Sequence, residues 1–199
     1  TPAIHKIAAT NGANASAEVE SRWQLVETAW DLGLNTSLIL YDEHSESLQT
    51  ADRRKVVTSA RGALNGYQKG RCFYCFRGIS IVSGGSELAD VDHLFPHVLQ
   101  RLRLLSNLDG VWNLVLSCNA CNRGVGGKFE SVPDTRYVER LERRNNYLIS
   151  SHHPLRETLI RQTGESQSLR RQFLQENLNV ARLHQPSVWS TKALADPTF

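Results

Sequence analysis

All four cysteines of the chain fall into two Cys-x-x-Cys pairs, Cys72-Phe73-Tyr74-Cys75 and Cys118-Asn119-Ala120-Cys121. A turn of this kind aims two sulfurs at one point, so two such turns can complete a tetrahedron about Zn²⁺. Disulfides are disfavoured in a reducing cytosol, and a thioredoxin-like redox motif needs a strand–helix setting and only one pair. The reading is therefore a structural zinc held by Cys72, Cys75, Cys118 and Cys121. Four thiolates fill the shell, so this ion builds the fold and performs no chemistry itself.

The gap between the pairs is longer than in ordinary zinc ribbons. Inside it runs Ala89-Asp90-Val91-Asp92-His93-Leu94-Phe95-Pro96-His97, followed by Val111-Trp112-Asn113-Leu114-Val115-Leu116-Ser117, which leads into the second pair and Asn122. An Asp-His pair alone is a weak signal. The series Asp-His-x-x-Pro, Asn-Leu, Cys-x-x-Cys-Asn, preceded by Cys-x-x-Cys, is far more specific. In these residues, from about Arg71 to Lys128, the chain resembles the HNH endonucleases with a four-cysteine zinc site.

The resemblance implies a ββα-metal core, two strands and a helix around one catalytic divalent ion. His93 is implied as general base, and its imidazole, with an ordinary pKa of about 6.5, is suited to accept a proton near neutrality. Asp92 and Asn122 are implied as oxygen ligands of Mg²⁺ or Mn²⁺, hard ions that also grip a substrate phosphate. Asn113 resembles the residue that braces the loop and orients the histidine. Asp90 shares a strand face with Asp92 and is the alternative ligand. Many relatives carry a lysine three residues after the final asparagine, where Val125 stands here. Arg71, Arg123 and Lys128 are the candidate phosphate contacts. His97 reads as a surface or supporting residue, and His152 and His153 as an exposed helix start.

These residues must be positioned by an α+β fold, a small core flanked by mostly helical regions. Residues 1–16 read as disordered and 17–70 as a helical N-terminal region. Within it, Val19, Trp23, Val26 and Trp30 mark one helix, Ser37–Tyr41 a short strand, and Val56, Ala60, Leu64 and Tyr67 a second helix. Residues 71–133 form the candidate nuclease core, with β-like runs around Ile79–Val82 and Val111–Leu116. Residues 134–199 read as a helical C-terminal region, with stripes at Tyr137, Leu141 and Leu148, and at Leu169, Phe173 and Leu183.

The composition, 40% hydrophobic and 22% charged, is that of a globular chain able to bury a core. No apolar run approaches the roughly 20 residues of a membrane span, and the small polar N-terminus lacks the features of a signal peptide. Cytoplasm is the expected compartment and DNA the expected partner. The net charge of +3 does not diagnose nucleic acid, but Arg53, Arg54, Lys55, Arg61, Lys69 and Arg71 form a basic run leading to the first cysteine pair. The absence of methionine and the start at Thr1 point to a removed initiator or a piece of a larger polypeptide. Homodimerisation, nicking against double-strand cutting, and a place in restriction or phage defence stay open. So does a non-catalytic zinc-stabilised module that only binds nucleic acid.

Overall fold

The computed structural model of the protein describes residues 15–16, 18–20, 22, 39–50, 56–85 and 87–199. The expected disorder of 1–16 and the helix over 17–32 lie largely outside the described residues. Residues 15–16, 18–20 and 22 are helical, and strands follow from Ile39. Strands β1 (Ile39–Asp42), β2 (Ser47–Thr50) and β3 (Val56–Ser59) pair antiparallel in the order β1-β2-β3. The β1–β2 turn closes because Asp42 accepts hydrogen bonds from the His44 amide (3.0 Å) and the Ser45 hydroxyl (2.9 Å), with Glu46 at positive φ. Within the region read as helical, residues 18–20, 22 and 60–68 are helix, β1 overlaps the expected strand Ser37–Tyr41, and β2 and β3 are strands that the reading lacked. The stripe that included Val56 starts as a strand, because Val56-Val57-Thr58 is β-branched, and only Ala60–Gln68 is helix (α1).

The middle of the chain holds a two-stranded antiparallel ribbon, β4 (Asp90–His93) and β5 (Leu114–Ser117), in the register Asp90↔Ser117 to His93↔Leu114. Short helices α2 (Val98–Arg101) and α3 (Asn119–Asn122) follow β4 and β5 in turn. Val111–Asn113 is a single tight helical turn that delivers the chain into β5, so Asn113 precedes the strand instead of lying in it. The run Ile79–Val82 contributes one bridge, Ser80 to Leu88, and no strand of its own.

Beyond this, β6 (Val132–Pro133) pairs in parallel with β7 (Val188–Trp189), and between them run α4 (Thr135–Ser150), α5 (Arg156–Thr163) and α6 (Gln167–His184). Asp134 caps α4 by accepting from the Arg136 amide at 3.0 Å, and Ser166 caps α6 by accepting from the Leu169 amide at 3.2 Å. Helix α4 buries Tyr137, Leu141 and Leu148 as its periodicity requires. Helix α6 is rotated from the expected stripe: Leu174, Leu178 and Ala181 are buried, whereas Leu169 and Leu183 are exposed. The result is a mixed α+β molecule with one core, in which Phe95, Leu99, Trp112 and Leu114 of the middle segment pack with Leu141, Leu159 and Leu178. Among the described residues no helix is long and apolar enough to cross a membrane.

Candidate functional site

The four cysteines converge. Cys72, Cys75, Cys118 and Cys121 are buried, and their sulfurs all lie within 4.8 Å of one another. Cys75 and Cys118 approach to 3.8 Å, matching the edge of about 3.8 Å that Zn–S bonds of about 2.3 Å give in a tetrahedron. The donor set, enclosure and spacing suit a structural zinc ion. Local geometry builds each turn: the Cys72 amide bonds to the Arg77 carbonyl (2.8 Å), the Phe76 amide returns to the Cys72 carbonyl (3.0 Å), and Phe76 takes positive φ. The second pair opens α3, and the chain then folds back onto it, the Lys128 amide meeting the Cys121 carbonyl at 2.7 Å. Gly124 permits that return, since a Cβ there would stand 2.7 Å from the Ala120 Cα.

The ribbon is held from both sides. Gln68 of α1 stands beside β5 like a missing strand, donating to the Leu116 carbonyl (2.8 Å) and accepting from the Leu116 amide (2.7 Å). Arg144 of α4, buried by the fold, donates to the carbonyls of Val111 (3.2 Å) and Trp112 (2.9 Å), and Asn145 adds a bond to Trp112 (3.2 Å). Burial lowers the Arg144 pKa to about 10, which leaves it a cation at neutral pH. The C-terminal helices thus fix the turn that presents Asn113. The Asn113 side chain in turn accepts from the Phe95 amide (2.8 Å) and donates to the carbonyls of Phe95 and Leu108 (3.0 Å each), tying down the segment after His93.

His93 ends β4 with its imidazole nearly enclosed. Its Nε2 lies 3.1 Å from Asp109 Oδ1, and Tyr41 packs edge-on at 5.8 Å. Gln100 donates to the other Asp109 oxygen at 2.7 Å and accepts from the Leu108 amide at 2.6 Å, so the carboxylate is itself positioned. Burial pushes the Asp109 carboxyl up, but the hydrogen bonds from His93 and Gln100 more than offset this and hold it below its ordinary pKa. His97, half-buried, lies beside His93 with ring centroids 5.2 Å apart. Asp109, Gln100 and Glu43 are functional candidates that sequence reading missed: Asp109 stands in a Leu-Asp-Gly turn and Glu43 in the β1–β2 turn, with no spacing to link either to His93.

Asp90, Asp92, Asn122, Arg123 and Lys128 meet on the other face of β4. Asp92 is buried, accepts the Tyr74 hydroxyl at 2.5 Å and pairs with the Lys128 ammonium at 3.2 Å. Burial and the Asp92 charge raise the Tyr74 pKa well above its ordinary value, so the phenol remains a donor. Lys128 is fully enclosed, which corrects its assignment as a phosphate contact: here it is the internal counterion of Asp92. Asn122 donates to Asp90 (3.2 Å), not to Asp92, and Arg123, well exposed, also reaches Asp90 (3.1 Å). Arg71 donates to the Phe76 carbonyl (3.4 Å) and Arg61 to the Ala89 carbonyl (2.7 Å), while Arg53, Arg54 and Lys55 lie outside the described residues. His152 is exposed as expected, but His153 is buried and accepts from the Leu155 amide at 3.2 Å.

No family model, curated protein or solved structure matches this chain.

Proposed function

We propose that the chain is a metal-dependent nuclease of the HNH type that hydrolyses phosphodiester bonds in DNA, with His93 as general base. The observation that carries this reading is the orientation of His93. A carboxylate on Nε2 keeps the proton there in the neutral imidazole and leaves the Nδ1 lone pair as the base. The setting supports it: a ribbon ending at His93, a braced loop, and a following short helix, stapled by four thiolates. Hydrolysis also requires neutralisation of the phosphate charge, which Mg²⁺ or Mn²⁺ would supply. Asn122 with Asp92 are the proposed holders of that ion, and the Asn122–Asp90 hydrogen bond adds Asp90 to the same group. For Asp92 to serve, Lys128 must release its oxygen. Arg123 and Arg71 are the proposed phosphate contacts at the surface, giving affinity without sequence reading. The HNH likeness further implies products with a 5′-phosphate and a 3′-hydroxyl.

The engagement of both Asp92 oxygens favours a second reading, a zinc-stabilised module that binds nucleic acid without turnover. Incubating the zinc-loaded protein with supercoiled plasmid, single-stranded DNA and RNA, with and without Mg²⁺ or Mn²⁺, separates the two. Ion-dependent nicking or linearisation of plasmid is expected. Binding without any cleavage under all ions would leave only the second reading.

A further inference from the structure

Glu43, His97 and Asp109 each offer one donor atom within 4.8 Å of the others, and they come from three separate segments: the β1–β2 turn, the start of α2 and the loop before β5. His97 Nε2 lies 3.3 Å from Asp109 Oδ1, and His97 Nδ1 lies 3.7 Å from Glu43 Oε1. The latter separation is too long for a hydrogen bond. A single ion can take only one of the two His97 nitrogens, and with one nitrogen and one oxygen from each carboxylate the three donor atoms still lie within 4.8 Å of one another. Glu43 Oε1 stands 3.9 Å from His93 Nδ1 as well, so this carboxylate faces both imidazoles without bonding to either. Among the described residues, no lysine or arginine forms an ion pair with Glu43 or Asp109. Two carboxylates thus converge on neutral-capable nitrogens without a fixed cation between them.

We infer that Glu43, His97 and Asp109 form a second metal site, distinct from the cysteine cluster and from the Asp92–Asn122 face. One imidazole nitrogen and two carboxylate oxygens suit a borderline divalent transition ion such as Co²⁺, Zn²⁺ or Mn²⁺ better than Mg²⁺, which prefers oxygen alone. Three protein ligands leave coordination positions for water, and partial exposure of all three side chains lets the ion enter. The bound ion would lie beside His93, in reach of the Asp109 oxygen that the two imidazoles share. That consequence for the base rests on the nuclease reading. The binding itself does not.

The test is Co²⁺ titration of the full zinc-loaded chain, followed by equilibrium dialysis and by visible d–d absorption. In the Asn122→Ala background, which removes the proposed Asp92–Asn122 site, one Co²⁺ beyond the zinc is expected, without the near-ultraviolet charge-transfer band that thiolate ligation produces. Glu43→Gln and His97→Ala should each weaken that binding by about ten-fold or more, with zinc content and far-ultraviolet circular dichroism unchanged. Glu43 sits in an exposed turn, so its substitution leaves the fold intact. A wild type that takes up no Co²⁺, or uptake in the Asn122→Ala background that survives both Glu43→Gln and His97→Ala, would overturn the site. Uptake abolished by Asn122→Ala alone would place the ion on the other face, sparing the nuclease reading while ending this one.

Discussion

At the scale of single residues, Asn113 and His153 show how little of a side chain's work its type reveals. Asn113 is fully buried and satisfies three backbone groups around His93. Asn113→Ala would leave those groups unpaired at about 1 kcal/mol or more each, so a loss of about 3 kcal/mol is expected in urea unfolding. His153 looked like a surface residue, yet burial depresses its pKa from 6.5 to about 4. The unfolded chain therefore binds more protons than the folded one between these values, and stability falls as pH drops through that window. The span is worth about 3 kcal/mol at most. Its contribution is complete above pH 6.5. His153→Asn keeps an acceptor for the Leu155 amide and removes the titration. Comparing unfolding free energies at pH 4.5 and 7.5 should show a smaller difference in the variant than in the wild type.

At the scale of elements, the cysteine pairs were legible because four sulfurs at two short spacings admit few uses. Of the order from Asp90 to Asn122, only the second strand was legible as an apolar run; the first strand and the helix were implied by the motif resemblance, and the β-like run Ile79–Val82 forms no strand. What escaped was whatever depends on contacts distant in sequence. Gln68 standing in for a strand, Tyr74 reaching Asp92, and Asp109 meeting His93 are products of folding, and no periodicity encodes them. Val56 misled because one apolar residue fits a helical and an extended pattern equally well. The cluster joins two elements whose only covalent link is the long loop, so zinc removal should loosen that loop first. Chelation is expected to abolish amide-exchange protection at Phe73, Leu94 and Lys128, while α4, capped and packed on α5 and α6, keeps more of its own. Uniform loss across both regions would show the zinc to hold the whole chain together.

At the scale of the molecule, the last residues return to the cysteine cluster. The Leu194 amide bonds to the Cys75 carbonyl at 2.7 Å, and Phe199 lies against Phe73, Phe76 and Tyr67. Trp189 packs on Tyr74 and Tyr137 and donates to the Gly126 carbonyl at 2.8 Å, clamping the loop that carries Lys128. Trp189→Ala is expected to cost about 2 kcal/mol, below the range for a fully enclosed tryptophan because the ring is partly exposed. It should also speed zinc release to a colorimetric chelator. An unchanged release rate would mean the C-terminal segment covers the cluster without securing it.

Each scale serves the placement of one imidazole. The decisive measurement is plasmid cleavage in Mg²⁺ or Mn²⁺ by wild type and by His93→Ala, each prepared to equal zinc content and equal circular dichroism. Cleavage by the wild type and a drop of about 100-fold or more in the variant are expected for the loss of a general base. Undiminished cutting by a clean preparation of the variant would contradict the assignment of His93.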